Sequence, residues 1–591
     1  MSSRATSLKL RRPLLASCAV AAVAAAALYA PPVRAQVTPQ PGGFQFQGTP
    51  EFIQGSGGVT NTDAVTTQVR IDDSRVVINW RPSDARTGIT APIDFLPAGR
   101  IGQFVQGDGG ANYLVINRIL PADNNRPIAF NGTVNSTSRI GRTEGPGGQL
   151  WFYSPSGILV GTGARFNVGS LALTANDPFE LTENGYGTGV FRFQAEAGSR
   201  AAVNVQAGAQ INALGSNAYV AMIAPRVSQG GAVTVNGSAA YVGAEIADVR
   251  ITGSLFDISF PTVTDPRTGG TQTPGTIVTG RDPGSASVEH AGSTRLTDTD
   301  SREDGYGNQF PGGPRQAILA AVPKNDAITM LVSGSIQYAP ALTAVQAAGK
   351  IILSGGAGVV NGVAQSAVPG VGATDIVMGS GTFGTAVPAS GTVLVDTVAS
   401  ATGNVALGTP AGLQFGRDLT IGARGRVDVT ATGSSQTIEI GRDLLIGGSN
   451  GVAVTAENGG AVIVRRNLTA DVSGTENAGG QRATVRAATG GTVDVTGNLL
   501  VRAEASLPAG QPVSSRVAEV IAQGGTVAVD GALTIDADAA TSIARTGGSR
   551  DVTAGTARLV TGGSGSVISV EGATSLLRAR TCSPRRRWVP S

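Results

Sequence analysis

One frame keeps returning along this chain: a glycine or a glycine pair, a small residue, valine or isoleucine, a polar residue, then valine again. It reads GGAVTVNGSAAYVG at 230–243, GGAVIVRRNLTADV at 459–472, GGTVDVTGNLLVRA at 490–503 and GGTVAVDGALTIDA at 524–537. A looser copy, GSGSVISVEGATSLL, follows at 563–577. A second frame overlaps the first, GRDLTIGARG at 416–425 and GRDLLIGGSNG at 441–451, 25 residues apart. Apolar residues at every second position make a strand with one buried face. Such a unit cannot cover that face by itself, and its return at intervals of roughly 25–41 residues defines a repeat architecture. Strands of successive turns would then pair about 4.8 Å apart, with the valines piled into one interior column.

Composition agrees with many short strands and tight corners. Glycine accounts for 84 of 591 residues, and it takes positive φ without steric cost. Charged residues make up only 14% of the chain, against about 25% in an ordinary domain. Propeller blades would ask for a regular period with aromatic signatures, and the repeats here carry none. The net charge is +3, and no basic stripe is interleaved with aromatics, so a nucleic-acid partner is not expected. The two cysteines, Cys18 and Cys582, sit near the two ends, which leaves the body without a disulfide or a thiolate metal site. His290 is the single histidine, so any Ser-His-Asp chemistry would have to use it. No cofactor is expected.

The first residues have the layout of an export leader. Arg4, Lys9, Arg11 and Arg12 form a basic region, 14–30 is apolar and alanine-rich, and Val33 and Ala35 are small residues suited to cleavage between Ala35 and Gln36. The competing reading is a membrane anchor, for which this run is at the short limit. From Gln36 to Phe193 there are sixteen aromatic residues, and from Gln194 to Arg580 only nine. That change divides a more individually specified N-terminal part from a shaft of small and aliphatic residues. Residues 261–315 are rich in Pro, Gly, Thr and Asp and read as a loop-rich excursion. The tail, 578–591, is basic and breaks the pattern, as a disordered or out-of-frame end would.

Several landmarks follow one another in the N-terminal part: VVINW (76–80), APIDFLPAGRIGQFVQ (91–106), NYLVINRIL (112–120) and GGQLWFYSPSGILVGTGARFNVGSLALTAND (147–177). In this order, behind an export leader, they resemble the secretion domain of two-partner-secretion exoproteins of the filamentous-haemagglutinin family. Asn117, Arg118 and Ile119 match the family's Asn-Arg-Ile/Val element. Ser154, Pro155, Ser156, Gly157 and Ile158 stand where the family usually has Asn-Pro-Asn-Gly-Ile. Serine in place of asparagine leaves a turn role intact, because its hydroxyl also bonds the local backbone. A plain strand-ending turn explains 154–158 as well as direct partner recognition does.

The resemblance implies an all-β fold, a right-handed parallel β-helix (solenoid) with an N-terminal capping/secretion domain. It assigns 1–35 to the signal peptide, 36–260 to the secretion domain and 316–577 to the β-helix shaft. It also implies an outer-membrane two-partner-secretion transporter with periplasmic docking domains as partner, and a secreted or cell-surface adhesin-type function without enzymatic activity. Host or neighbouring-cell surface glycans or proteins would be the adhesion targets. With roughly 20–25 residues per coil and about 4.8 Å per coil, the 540-odd residues of the mature chain would reach on the order of 100–130 Å.

Two other readings are open at this stage. The same fold class hosts polysaccharide lyases and hydrolases. Those need convergent carboxylates, and the adjacent Asp72 and Asp73 would point to opposite faces of a strand. The odd tail also fits a truncated fragment of a larger adhesin or toxin. Gly349-Lys350 lacks the rest of a phosphate loop, and GRD at 416–418 and 441–443 reads as a strand-edge turn. The Asn-X-Ser/Thr sequons at Asn131, Asn135, Asn236 and Asn467 are no more frequent than chance supplies.

Overall fold

The computed structural model describes residues 43–578 except 108–112, 141–142, 266–267, 277–285, 298–301, 304–308, 311–314, 325–326, 340–348, 388, 390–393, 409–411, 475–480, 506–515 and 538–555. The leader with its Ala35–Gln36 junction and the tail from 579 onward lie outside the described residues.

The alternating frames become strands of a three-faced parallel β-helix. One coil runs Leu444–Gly448, Gly451–Glu457 and Ala461–Val464, and the next runs Leu468–Gly474, Arg482–Ala488 and Thr492–Val495. Each strand pairs in parallel with its equivalent: Leu444 with Leu468, Val452 with Ala483, Val462 with Val493. Leu419 stacks on Leu444 as well, so adjacent coils here are 25 and 24 residues long. Inward residues such as Val427, Val452, Val462, Val493 and Val527 are fully buried. Each contributes about 1.5–3 kcal/mol through its burial.

The glycine pairs have two separate jobs. Gly490 takes φ +75° at the corner, where a side chain would be strained. Gly491 is the close-approach residue: a Cβ there would lie 2.2 Å from the carbonyl oxygen of Ala456 in the preceding coil. The GRD stretches are corners too. The side-chain oxygen of Asp418 accepts the backbone N–H of Asp443 at 3.1 Å, and Asp443 accepts that of Asn467 at 3.0 Å. Asn467 accepts from Asn498 at 3.0 Å, and Asn498 from Ala532 at 2.8 Å. This ladder satisfies one backbone donor per coil that the turn would otherwise leave unpaired.

Along one face the stacked strands start near residues 75, 114, 149, 170, 218, 237, 316, 350, 396, 419, 444, 468, 499, 533 and 574. Fourteen steps of about 4.8 Å give a column roughly 70 Å long, shorter than the sequence-based expectation. Insertions are the reason. From Arg75 to its register partner Leu114 the chain spends 39 residues, not 25. The stretch 261–315 also belongs partly to the column: Val288–His290 pairs with the strand at Val227, and Ser293–Leu296 with the strand at Ala232.

The N-terminal part differs from the shaft in two ways. Its interior is aromatic: Phe46, Trp80, Phe95, Phe130 and Phe152 form a continuous ring-to-ring chain with centroids 5.1–5.8 Å apart. Phe46 closes the open end of the column, and Gly48–Gln54 pairs antiparallel with Arg75–Pro82 there. Secondly, one outer face is covered by a six-stranded antiparallel sheet, Asp177–Glu183, Tyr186–Gln194, Ile246–Thr252, Leu255–Ser259, Ala357–Val360 and Val363–Ala367. Its three hairpins turn on Asn184-Gly185, Gly253-Ser254 and Asn361-Gly362, all six at positive φ. Such two-residue turns match the twist of the strands they join. Beneath the sheet lies a second core, in which Trp151, Ile318 and Ile352 of the helix meet Phe193, Phe256 and Ile258 of the cover. The outward column continues uncovered beyond it, where Leu445 is 46% exposed.

Candidate functional site

The landmark residues divide between the dry interior and one corner of the column. Asn117, on the strand Leu114–Ile119, points inward and is fully buried. Its Oδ1 accepts the indole N–H of Trp80 at 3.1 Å, and its Nδ2 donates to the carbonyl of Trp151 at 3.3 Å. An indole donor inside an apolar column needs an acceptor, and Asn117 supplies it. Ile119 and Ile158 are interior residues. Arg118 points outward. Its guanidinium pairs with Asp177 at 2.5 Å and lies 5.7 Å from the ring centroid of Tyr153 on the next coil.

Ser154 to Gly157 is a turn between two faces. The Gly157 N–H donates to the Ser154 carbonyl at 3.0 Å, with proline second and glycine last, as a type I turn favours. Gly157 has φ +92°, and a Cβ on it would meet the Ala202 carbonyl oxygen at 2.5 Å. The hydroxyls of Ser154 and Ser156 share a hydrogen bond of 2.8 Å, and both are buried. The serines thus serve the turn internally, and Pro155 is the residue of the five that is partly exposed.

Arg118, Tyr153, Pro155, Ser156 and Asp177 converge where the cover sheet meets the column. Asp177 opens the edge strand of that sheet. A second arginine, Arg75 from the preceding coil, pairs with Glu180 on the same strand and lies 5.2 Å from the Phe191 ring. The edge is therefore clipped to two successive coils. Burial raises the carboxyl of Asp177 above its usual range, an effect Arg118 only partly opposes.

Between this corner, the segment 195–201 and the residues Asp265, Thr268 and Gln272 lies a groove of about 800 Å³. Tyr153, Pro155 and Ser156 form one wall, Asp177 and Phe179 another. The floor is held by a polar network. Glu245 is completely buried, pairs with Lys324 at 2.7 Å and accepts the Gly198 N–H at 3.1 Å. Gln194 donates to Gln272 at 2.9 Å, and Gln272 donates to the Ala195 carbonyl at 3.1 Å. Asn176 donates to the carbonyls of Ala244 and Glu245. None of these floor residues stands out in the sequence, because they come from five separate segments.

His290 lies elsewhere, inside the column. Its Nδ1 bonds the Ser333 carbonyl at 2.9 Å and its Nε2 the Thr294 hydroxyl at 2.9 Å, while Tyr241 shares a 2.6 Å bond with that hydroxyl. A carbonyl only accepts, so Nδ1 carries a proton, while the Thr294 hydroxyl can donate to or accept from Nε2. Burial lowers its pKa. Two sequon asparagines are also committed: Asn236 is buried and donates to Gly215, and Asn467 belongs to the corner ladder. Among the described residues no three His, Cys, Asp or Glu side chains come together to hold a metal ion.

No family model and no curated protein sequence matches the chain. Among solved structures, the HMW1 secretion domain from Haemophilus influenzae is similar at 13% identity, over 90% of this chain and 99% of that chain, with a TM-score of 0.30. The fold described above is read from the pairing of this chain's own strands.

Proposed function

We propose that the chain is a secreted or cell-surface adhesin-type exoprotein without catalytic activity of its own. It leaves the cell through an outer-membrane barrel partner that recognises the N-terminal part. The observation that carries the reading is the convergence of the landmark stretches: Arg118 and Asp177, 59 positions apart in sequence, meet at one clipped corner, with Arg118 and Pro155 reaching the surface. In this reading Arg118 and the 154–157 turn present a surface to the partner. Asn117, Ile119 and Ile158 act through the fold beneath it.

A stack of coils suits such a route. Each coil contacts only its neighbours, so it can form turn by turn as the chain emerges. A body without cysteine cannot be locked before transit. The test is to delete, in the producing cell, the gene of the outer-membrane two-partner-secretion barrel that this reading requires. The proposal predicts loss of the protein from the cell exterior and its accumulation in the periplasm; unchanged export contradicts it. Arg118→Ala should lower export several-fold in a folded protein, whereas Asn117→Ala should lower export only as far as it lowers stability.

A further inference from the structure

One corner of the first coils is larger than the helix needs. In the shaft the chain turns from the first face to the second with two residues, 424–425 and 449–450. At the same corner of the coils that begin at 75, 114 and 149 it spends ten, eight and four, namely 83–92, 120–127 and 154–157. The strands that follow stack in register, Ile93 on Ile128 and Ile128 on Ile158, so the three corners lie one above another. Main-chain bonds join them: the Ile93 N–H donates to the Pro127 carbonyl at 2.9 Å and the Ile128 N–H to the Gly157 carbonyl at 3.0 Å. The turn at 154–157 is therefore the third level of a stacked surface. The sequence landmarks flank the two larger loops without covering 83–90 or 121–127.

Those loops are held rigid by one buried cation. The Arg126 side chain is fully buried, and its guanidinium donates to the Ala91 carbonyl at 2.8 Å, the Arg86 carbonyl at 2.9 Å and the Asp84 carboxylate at 2.7 Å. Asp123 accepts the Gly88 N–H at 3.0 Å, which ties the loops a second time. Ordering residues that no coil requires costs conformational entropy, and loops fixed on a scaffold are where recognition is carried. The surface they present is neutral. Asp84 and Asp123 balance Arg86 and Arg126, and the exposed Arg86 is itself held by Asp84 at 2.7 Å. Thr87, Thr90, Asn124 and Asn125 face solvent, so the surface suits a partner that bonds through uncharged polar groups. Resting on the export reading above, we propose that the barrel's periplasmic domains dock across all three levels of this corner, with Thr87 and Asn124 in the contact and Arg126 as the positioning residue.

Calorimetric titration of the full mature chain with the purified periplasmic domains of that barrel tests it. Thr87→Arg and Asn124→Arg should each weaken binding by about tenfold with the thermal midpoint unchanged, and Ser435→Arg on the shaft should change neither. Arg126→Gln should weaken binding too and speed hydrogen exchange at Gly88 while the shaft amides stay protected, a local pattern that general destabilisation does not give. Because the corner has no net charge, raising salt from about 50 to about 500 mM should change the wild-type affinity less than about threefold. Wild-type binding that Thr87→Arg and Asn124→Arg both retain in full overturns this inference and leaves the export reading standing, as does a steep loss of affinity with salt. No binding by the wild-type chain contradicts the export reading and this inference together.

Discussion

The paired glycines show how two neighbouring residues of one type answer to different physics. Gly490→Ala meets only backbone strain, because nothing but a distant Gly459 nitrogen is near its Cβ, and should cost about 1–2 kcal/mol. Gly491→Ala collides with the backbone of the preceding coil and should cost more, about 3 kcal/mol, since neither coil can move alone. Chemical denaturation of the two variants checks the order. His290 supplies a second residue-scale prediction. Its folded-state pKa lies below the ordinary value near 6.5, so the unfolded chain binds the extra proton first. Stability is therefore full above about pH 6.5 and falls as pH drops below it. Melting curves from pH 7.5 to 5 should show that loss, and His290→Gln should flatten it. Asp177 has the opposite sign. Its raised pKa means the ionised form is disfavoured in the fold, so Asp177→Asn should leave the pH 7 midpoint unchanged or higher. A marked fall would show the Arg118 pair to be a net stabiliser. The register of the valines and the corner role of the glycines were legible from residues alone, because both follow from a period of two and a missing Cβ. The inward aim of Asn117 was not, since a polar residue in a strand gives no sign of a buried indole beside it.

At the scale of elements, the cover sheet separates the first coils from the rest. Ile318 is buried under it and Leu445 occupies the same outward column beyond it, 46% exposed. Ile318→Ala should cost about 2–5 kcal/mol and Leu445→Ala no more than about 0.5 kcal/mol, as denaturant midpoints would show. Breaking the buried pair with Lys324→Met should strip Glu245 of its counter-charge at a cost of about 3 kcal/mol and raise hydrogen exchange at Gly198. The cover was partly written in the sequence. Asn184-Gly185 and Asn361-Gly362 are two-residue hairpin signals flanked by apolar strands. They were obscured because their strands have the same alternation as coil strands, and because Ile258 finds its partner Val359 across 101 residues. The groove was less legible still. Its walls and floor come from segments that only the folded column brings together.

For the whole molecule, stability is a sum over neighbours. Coils of the shaft carry their own valines, corner acceptors and ion pairs to neighbouring coils, such as Arg465 to Glu439 at 2.8 Å and Arg482 to Glu519 at 3.0 Å. The exposed pair of Arg465 with Glu439 is individually weak, whereas Glu519 is buried beneath its arginine. Their placement opposes slippage, because a one-residue shift would turn every inward valine outward. Engineered disulfides read that lengthwise register directly. Thr420 pairs in register with Leu445, and Leu445 with Thr469. In a chain whose Cys582 is replaced by serine, Thr420→Cys with Leu445→Cys should oxidise readily, because in-register neighbours lie about 4.8 Å apart, within disulfide reach. Thr420→Cys with Thr469→Cys, two coils apart at roughly 9.6 Å, should stay reduced. Failure of the first pair, or closure of the second within the monomer, would contradict the stacked column.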